Sequence, residues 1–267
     1  MKNTIIKWYE RLGFPKTYDD LFKQLIETHE LNFPLDIAEY DCKKNTPQHN
    51  FLAYLYYCEQ LEKFYIKRQI PSEILYATLS DIVIWTNVWF LIKGELGIGE
   101  VDWLRNHLTG QLFRLGRLQF AFGKFEKDYP KIDAKLGEST IEVHIPEDSK
   151  LSAIDCDKSF AFAEEFFEKY FPEYSYRFYT CHSWLLWRNL KDYLPENSNV
   201  ILFGNRFLKI DSNKGDSILR YVFRWDATRE NLQKFEAKTS LARAIKQSVM
   251  DEKCFFEEFG IINRKNI

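Results

Sequence analysis

The sequence predicts an α+β fold, an all-helical N-terminal region followed by a mixed, mostly antiparallel sheet with helices packed on it. Three observations predict it. Apolar residues recur at three- and four-residue spacing as far as about Leu108, the period of amphipathic helices. Beyond Gly110 the period falls to two in several stretches, the mark of half-buried strands. With 267 residues, 45% of them apolar, the chain has enough material to bury the core of one large or two moderate domains. The change of period places the boundary between residues 1–108 and residues 109–267.

In the first region, Thr17 is expected to cap a helix with Leu21, Phe22, Leu25 and Ile26 on one face and Asp19 and Asp20 in its first turn. Thr46 followed by Pro47 is a cap and first-position pair, and Phe51, Leu52, Leu55, Tyr56, Leu61 and Phe64 then return on one face. Ser72 caps the apolar run Ile74 to Ile92. Ser80, Asp81 and Asn87 interrupt that run, so it reads as a buried core helix, or a pair, and not as a membrane span. Gly94, Gly97 and Gly99 break the chain before a last helix over Glu100 to His107. The LGIGE of residues 96–100 lacks the preceding strand and third glycine of a phosphate loop, and reads as a helix end and a turn.

The second region opens with GQLFRLGRLQFAF (110–122), paired strands meeting at a tight turn or bulge. A strand over Thr140 to Ile145 puts Ile141, Val143 and Ile145 on one face and Glu142 and His144 on the other, and ends at Pro146. A helix starting at Asp157 or Ser159 uses Phe162, Phe166, Phe167 and Tyr170 and stops before Pro172. Tyr174 to Trp184 reads as a strand, Leu185 to Leu194 as a short helix, and Ile218 to Trp225 as a strand. Thr239 caps a last helix carrying Leu241, Ala244, Ile245 and Val249.

Composition excludes several functions. The net charge of −2, with neither half strongly basic, removes the electrostatic footprint of nucleic-acid or anionic-membrane binding. The five cysteines, Cys42, Cys58, Cys156, Cys181 and Cys254, are odd in number and form no CxxC, which fits neither a disulfide framework nor a zinc site. Free thiols and the lack of a signal-length apolar run near Met1 make the cytoplasm the expected location, and no metal is expected. There is no HExxH, no GxSxG and no internal repeat. Aromatic residues reach 17%, which either fills a core or lines a ligand cleft.

Four segments stand out in order: FRLGRLQF (113–120), VHIPE (143–147), CHSWLL (181–186) and LPENSNV (194–200). Through them the chain resembles, over essentially its whole length, a bacterial family of acyltransferases with an N-terminal helical domain and a GNAT-like C-terminal domain. The resemblance implies acyl-CoA as co-substrate and an amine on a small molecule or peptide as acceptor. The diphosphate would lie between the strand at 140–145 and the next helix, with Ile145, Glu147, Lys150, Lys158 and Ser159 as the binding set. That loop lacks the Gln or Arg and spaced glycines usual there, and it holds Asp148, Asp155 and Asp157. The alternative is therefore a ligand- or partner-binding protein that keeps the fold without binding CoA and without catalysis.

Acyl transfer to an amine needs a base. His144, of a residue type that titrates near ~6.5, is the candidate, with Glu142 on the same strand face to orient or replace it. Cys181 is the third catalytic candidate, or else a small buried residue. It adjoins His182, but neighbours on a strand point to opposite faces, so the two form no nucleophile–base pair. For substrate binding the candidates are Arg114 and Arg117, which either hold an anion or form surface pairs, with His182 and Trp184 as cleft wall. Asn197 and Asn199 serve either the ligand or a turn and helix cap.

Overall fold

A computed structural model describes residues 1–266. Its contacts divide the chain into two units, residues 1–121 with 145–148, and residues 122–144 with 149–267.

The first unit is built from helices α1 (Lys2–Leu12), α2 (Asp19–Thr28), α3 (Pro47–Arg68), α4 (Ser72–Lys93) and α5 (Val101–Leu108). Helix α1 lies within the stretch predicted to be helical, although no cap or apolar face is assigned to it there. It buries Ile5, Trp8 and Tyr9, an i, i+3, i+4 set, and ends at Gly13 with φ 69°, where a side chain would be strained. Thr17 lies inside a 3₁₀ turn, Lys16–Tyr18, and so does not cap α2; Asp19 and Asp20 do occupy the first turn. Thr46 caps α3 as its sequence implies, its Oγ1 accepting from His49 N at 3.2 Å.

Helix α3 is buried nearly all round through Phe51, Leu52, Tyr54, Leu55, Tyr57 and Cys58, and is the centre of this unit. Ser72 is the first residue of α4 and makes no cap bond; Pro71 holds the cap position. By length and apolarity α4 is long enough to cross a membrane. Its buried face nevertheless carries Asp81 and Thr86, and it packs on α1, α3, α5 and β1 (Leu112–Leu115), the surroundings of a core helix. The LGIGE turn has a packing reason for its glycines. A Cβ at Gly97 would come within 2.6 Å of Trp89 Nε1, and one at Gly99 within 2.9 Å of the same ring.

Strand β1 pairs antiparallel with β2 (Leu118–Lys124) through a turn at Gly116, φ 75°, as the sequence implies. The second unit continues with β3 (Ser139–His144), α6 (Ala153–Tyr170), β4 (Phe178–Ser183), α7 (Asn199–Gly204), β5 (Leu208–Lys214), α8 (Ser217–Val222), α9 (Ser240–Met250) and β6 (Phe256–Asn263). The strand order is β1-β2-β3-β4-β6-β5, with β2 running from the first unit into the second. Strands β3 and β4 are parallel, joined by α6, while β4 with β6 and β5 with β6 are antiparallel.

Four expectations give way here. Ile218 to Trp225 is not a strand: Ser217–Val222 is helix α8, with Ile218 and Leu219 buried against Trp184, Leu190 and Ile245. A short apolar run fits either period, and packing chose. Leu185 to Leu194 forms two 3₁₀ turns, Trp184–Leu186 and Arg188–Asp192, in place of one helix. Helix α6 begins at Ala153, four residues before Asp157, because Ser152 accepts from Asp155 N and caps it there. Strands β5 and β6 lie where the sequence predicts none. The edge strand β5 is largely exposed and polar, and β6 carries the adjacent acids Glu257 and Glu258 after Phe256, so neither shows a clean apolar alternation.

Candidate active site

The site rests on how β3 and β4 part. Their register covers only Ile141 with Tyr179 and Glu142 with Thr180. Val143 and His144, and opposite them Cys181 and His182, lie beyond the last paired position. Strand β4 stays in the sheet on its other side, pairing with β6 as far as Ser183 and Glu258. The result is a fork between two parallel strands, which do not pair with each other beyond Glu142 and Thr180.

The sequence places Glu142 and His144 on one face, and the structure brings them together: His144 Nε2 lies 3.4 Å from Glu142 Oε2, with side chains 30% and 44% exposed. Such an exposed pair contributes little stability. Gly123 on β2 makes the arrangement possible, since a Cβ there would stand 2.5 Å from Glu142 Cγ.

Cys181 points the other way, onto the face shared with Tyr179, whose ring meets Phe160 of α6. It is 2% exposed, and burial, with the Glu142 charge adding to it, pushes its thiol far up. A thiol so buried has the surroundings of a packing residue. His182 falls on the face of Glu142 and His144 and sits 4.0 Å from Glu257 Oε2 of β6.

The phosphate set is rearranged by the early start of α6. Lys158 and Ser159 belong to its second turn, and Ser159 is buried, so neither stands at the helix N-terminus. Lys150 precedes the cap. Ile145 and Glu147 belong to the first unit, where burial around the Glu147 carboxyl pushes it up although the residue keeps an exposed surface. A cation absent from the sequence-predicted set is Arg206, just after α7. Its Nη2 donates to Ala153 O at 3.0 Å and its Nη1 bonds Asp157, so it stands beside the first turn of α6. No local motif marks Arg206; only tertiary folding brings it there.

Arg114 holds a carboxylate, but an internal one. Its guanidinium takes Asp148 at 2.7 and 3.0 Å and Ser80 Oγ at 3.2 Å, all within the first unit. Arg117 is 8% exposed in the β1–β2 turn, so it is no surface pair. Trp184 is not a cleft wall: it is packed with Trp187, Leu190 and Ile218 and stacks on Tyr221. Asn197 and Asn199 are exposed beside Ser198, the residue that caps α7. A cavity of about 600 Å³, lined by Trp187, Arg188, Tyr193, Ser212 and Glu258, lies on the opposite face of the sheet from His144. It is not part of the fork.

A family model described as a GNAT-like C-terminal domain matches residues 112–262, and one described as an N-acyltransferase N-terminal domain matches residues 5–110. The chain belongs to the family with this GNAT-like C-terminal domain. Among solved structures, an acyltransferase in complex with decanoyl-CoA is similar with TM-score 0.75 at 22% identity, over 96% of this chain and 86% of that one. An acyltransferase in complex with decanoyl-CoA and teicoplanin is similar with TM-score 0.71 at 21% identity, over 97% and 99%. A third, in complex with CoA and 10C-teicoplanin, has TM-score 0.70 at 20% identity over 97% and 99%. At such identities these are likenesses of fold. No curated protein matches the chain. The GNAT-like fold expected from the four segments is thus present, with the parallel β3–α6–β4 unit inside a mostly antiparallel sheet.

Proposed function

We propose that this GNAT-like protein moves an acyl group from acyl-CoA to an amine on a small molecule or peptide. The observation that carries the reading is the fork with the His144–Glu142 pair on its bank. An extended thioester arm entering the fork finds main-chain donors and acceptors that β3 and β4 no longer spend on each other. His144 then takes the proton of the acceptor amine as its nitrogen attacks the thioester carbonyl, and Glu142 orients the ring. The solved structures of similar fold carry decanoyl-CoA or CoA, which supports the donor half of the reading.

The acidic loop is less of an obstacle than its sequence suggests. Arg206 is paired with Asp157, and the Ser152 hydroxyl engages the Asp155 carboxylate. Lys150 and Arg206, beside the N-terminus of α6, are the groups that would face a diphosphate. The division into 1–108 and 109–267, and a cytoplasmic, bacterial setting, belong to the same proposal. Asp155 in the first turn of α6 favours the second reading, a ligand-binding protein that does not hold CoA.

Thermal unfolding with decanoyl-CoA and with free CoA decides between them. Ligand at a hundredfold excess over its dissociation constant stabilises by about 2.7 kcal/mol. No shift with either compound sinks the acyltransferase reading. Given binding, His144→Gln is expected to keep the shift and lose turnover by about 10²–10⁴-fold; unchanged turnover removes His144 as the base.

A further inference from the structure

The fork has a second imidazole on its other bank. His182 stands two residues beyond Thr180, as His144 stands two residues beyond Glu142, and the two pairs share one face of the sheet. Each imidazole has a glutamate: Glu142 from His144's own strand at 3.4 Å, and Glu257 from β6 at 4.0 Å from His182. Each glutamate fills space that only a glycine leaves open. A Cβ at Gly123 would be 2.5 Å from Glu142 Cγ, and one at Gly215 would be 2.4 Å from Glu257 Oε1 and 2.7 Å from its Cδ. Two glycine–glutamate–histidine sets built from different strands thus flank one opening. Base catalysis on the amine uses only the first.

We propose that His182, with the Glu257 carboxylate 4.0 Å away, is the proton donor to the thiolate that leaves acyl-CoA. The assignment rests on the acyl-transfer reading of the same fork. An arm lying between the strands puts its thioester between the two banks. The amine nitrogen forms the new C–N bond at the carbonyl and gives its proton to His144. The C–S bond breaks with its electron pair on sulfur, and the proton from the His182 ring converts that thiolate to the free CoA thiol. Amide and thiol are the products. His182 is 47% exposed and His144 30%, so each exchanges its proton with solvent before the next turnover.

The charged groups around His182 are consistent with this work. Glu257 faces it from β6 and Asp211 from β5, and Phe259 of β6 lies beside the ring at 6.4 Å between centroids. Lys127 pairs with Asp211 and holds that carboxyl below the usual range, with a smaller contribution from His182 itself. Tyr129 stacks on Phe259 and closes that side. Across the fork stand Glu142 and His144.

The test compares leaving groups. Thiol release is followed with hydroxylamine as the nucleophile, once with decanoyl-CoA and once with the nitrothiophenyl ester of decanoic acid, whose thiolate departs without help. His182→Gln is expected to slow the CoA reaction by roughly 10- to 100-fold and to leave the aryl ester within about threefold of wild type. Glu257→Gln, acting through His182, should give a smaller loss with the same selectivity for the CoA ester over the aryl ester. It also stands in for His182→Gln should that variant not fold. Equal slowing with both donors, or none, overturns the assignment alone. A wild-type protein that releases no thiol from either donor sinks the acyl-transfer reading and this assignment together.

Discussion

Asp81→Asn removes one charge from the interior of the first unit and almost nothing of its shape. Asp81 on α4 is 3% exposed, accepts from Trp103 Nε1 at 3.0 Å, and lies 3.1 Å from Nε2 of the fully buried His107 on α5. Gln119 of β2 reaches the same pair, its Nε2 standing 3.2 Å from His107 Nε2. Trp103 and His107 both meet Oδ2, so an asparagine offers them one neutral amide oxygen in place of the carboxylate and puts a buried N–H₂ where the other oxygen stood. Removing one partner of a buried pair costs about 3–5 kcal/mol, and that is the expected loss at neutral pH.

The pH dependence follows from the direction of the shift. Burial pushes the Asp81 carboxyl up, but the bond and charge of His107, with bonds from Trp103 and Gln119, outweigh it and hold the group below its ordinary value. A group lowered on folding contributes stability above its unfolded pKa, about 3.9, and loses it as pH falls through the folded value. Urea unfolding of both proteins from about pH 7 to about pH 3 measures this. The gap between wild type and Asp81→Asn should hold from neutral pH down to about pH 4 and narrow only below it. A gap under about 1 kcal/mol at neutral pH would refute the argument, as would one that narrows already above about pH 5.

Three further outcomes are expected. Gly123→Val drives a side chain into Glu142 and should separate it from His144; turnover falls about tenfold while the melting temperature changes little, and unchanged turnover would show that the pair does not matter. Cys181→Ala should keep turnover within about twofold at a stability cost of about 1–2 kcal/mol, because the thiol is buried packing; a thousandfold loss of turnover would restore it as a nucleophile. Thr46→Ala removes the cap bond to His49 N and should lower the stability of the helical unit by about 1 kcal/mol in urea unfolding.

Legibility depended on whether a signal was local. Cap and period place α3 and α9, period alone places α4, and the strand period puts Glu142 and His144 on a common face. The same period separates Cys181 from His182, and their opposite surroundings follow from it. The glycine turn of the β1–β2 hairpin is equally local. Where two periods fit one short run, as over Ile218 to Val222, the sequence has no means to choose, and burial against Trp184 and Ile245 chose the helix.

The sequence by itself determined the helical first part, the mostly antiparallel second part and the face that bears His144, because propensity, capping and strand period act within a few residues. Tertiary structure alone decided that β3 and β4 part after two paired positions. It also decided that β6 delivers Glu257 to His182 and that Arg206 comes to the first turn of α6. These are pairings between residues about 40 to 75 positions apart, set by which strands and helices come to rest side by side, and no spacing within the chain encodes them.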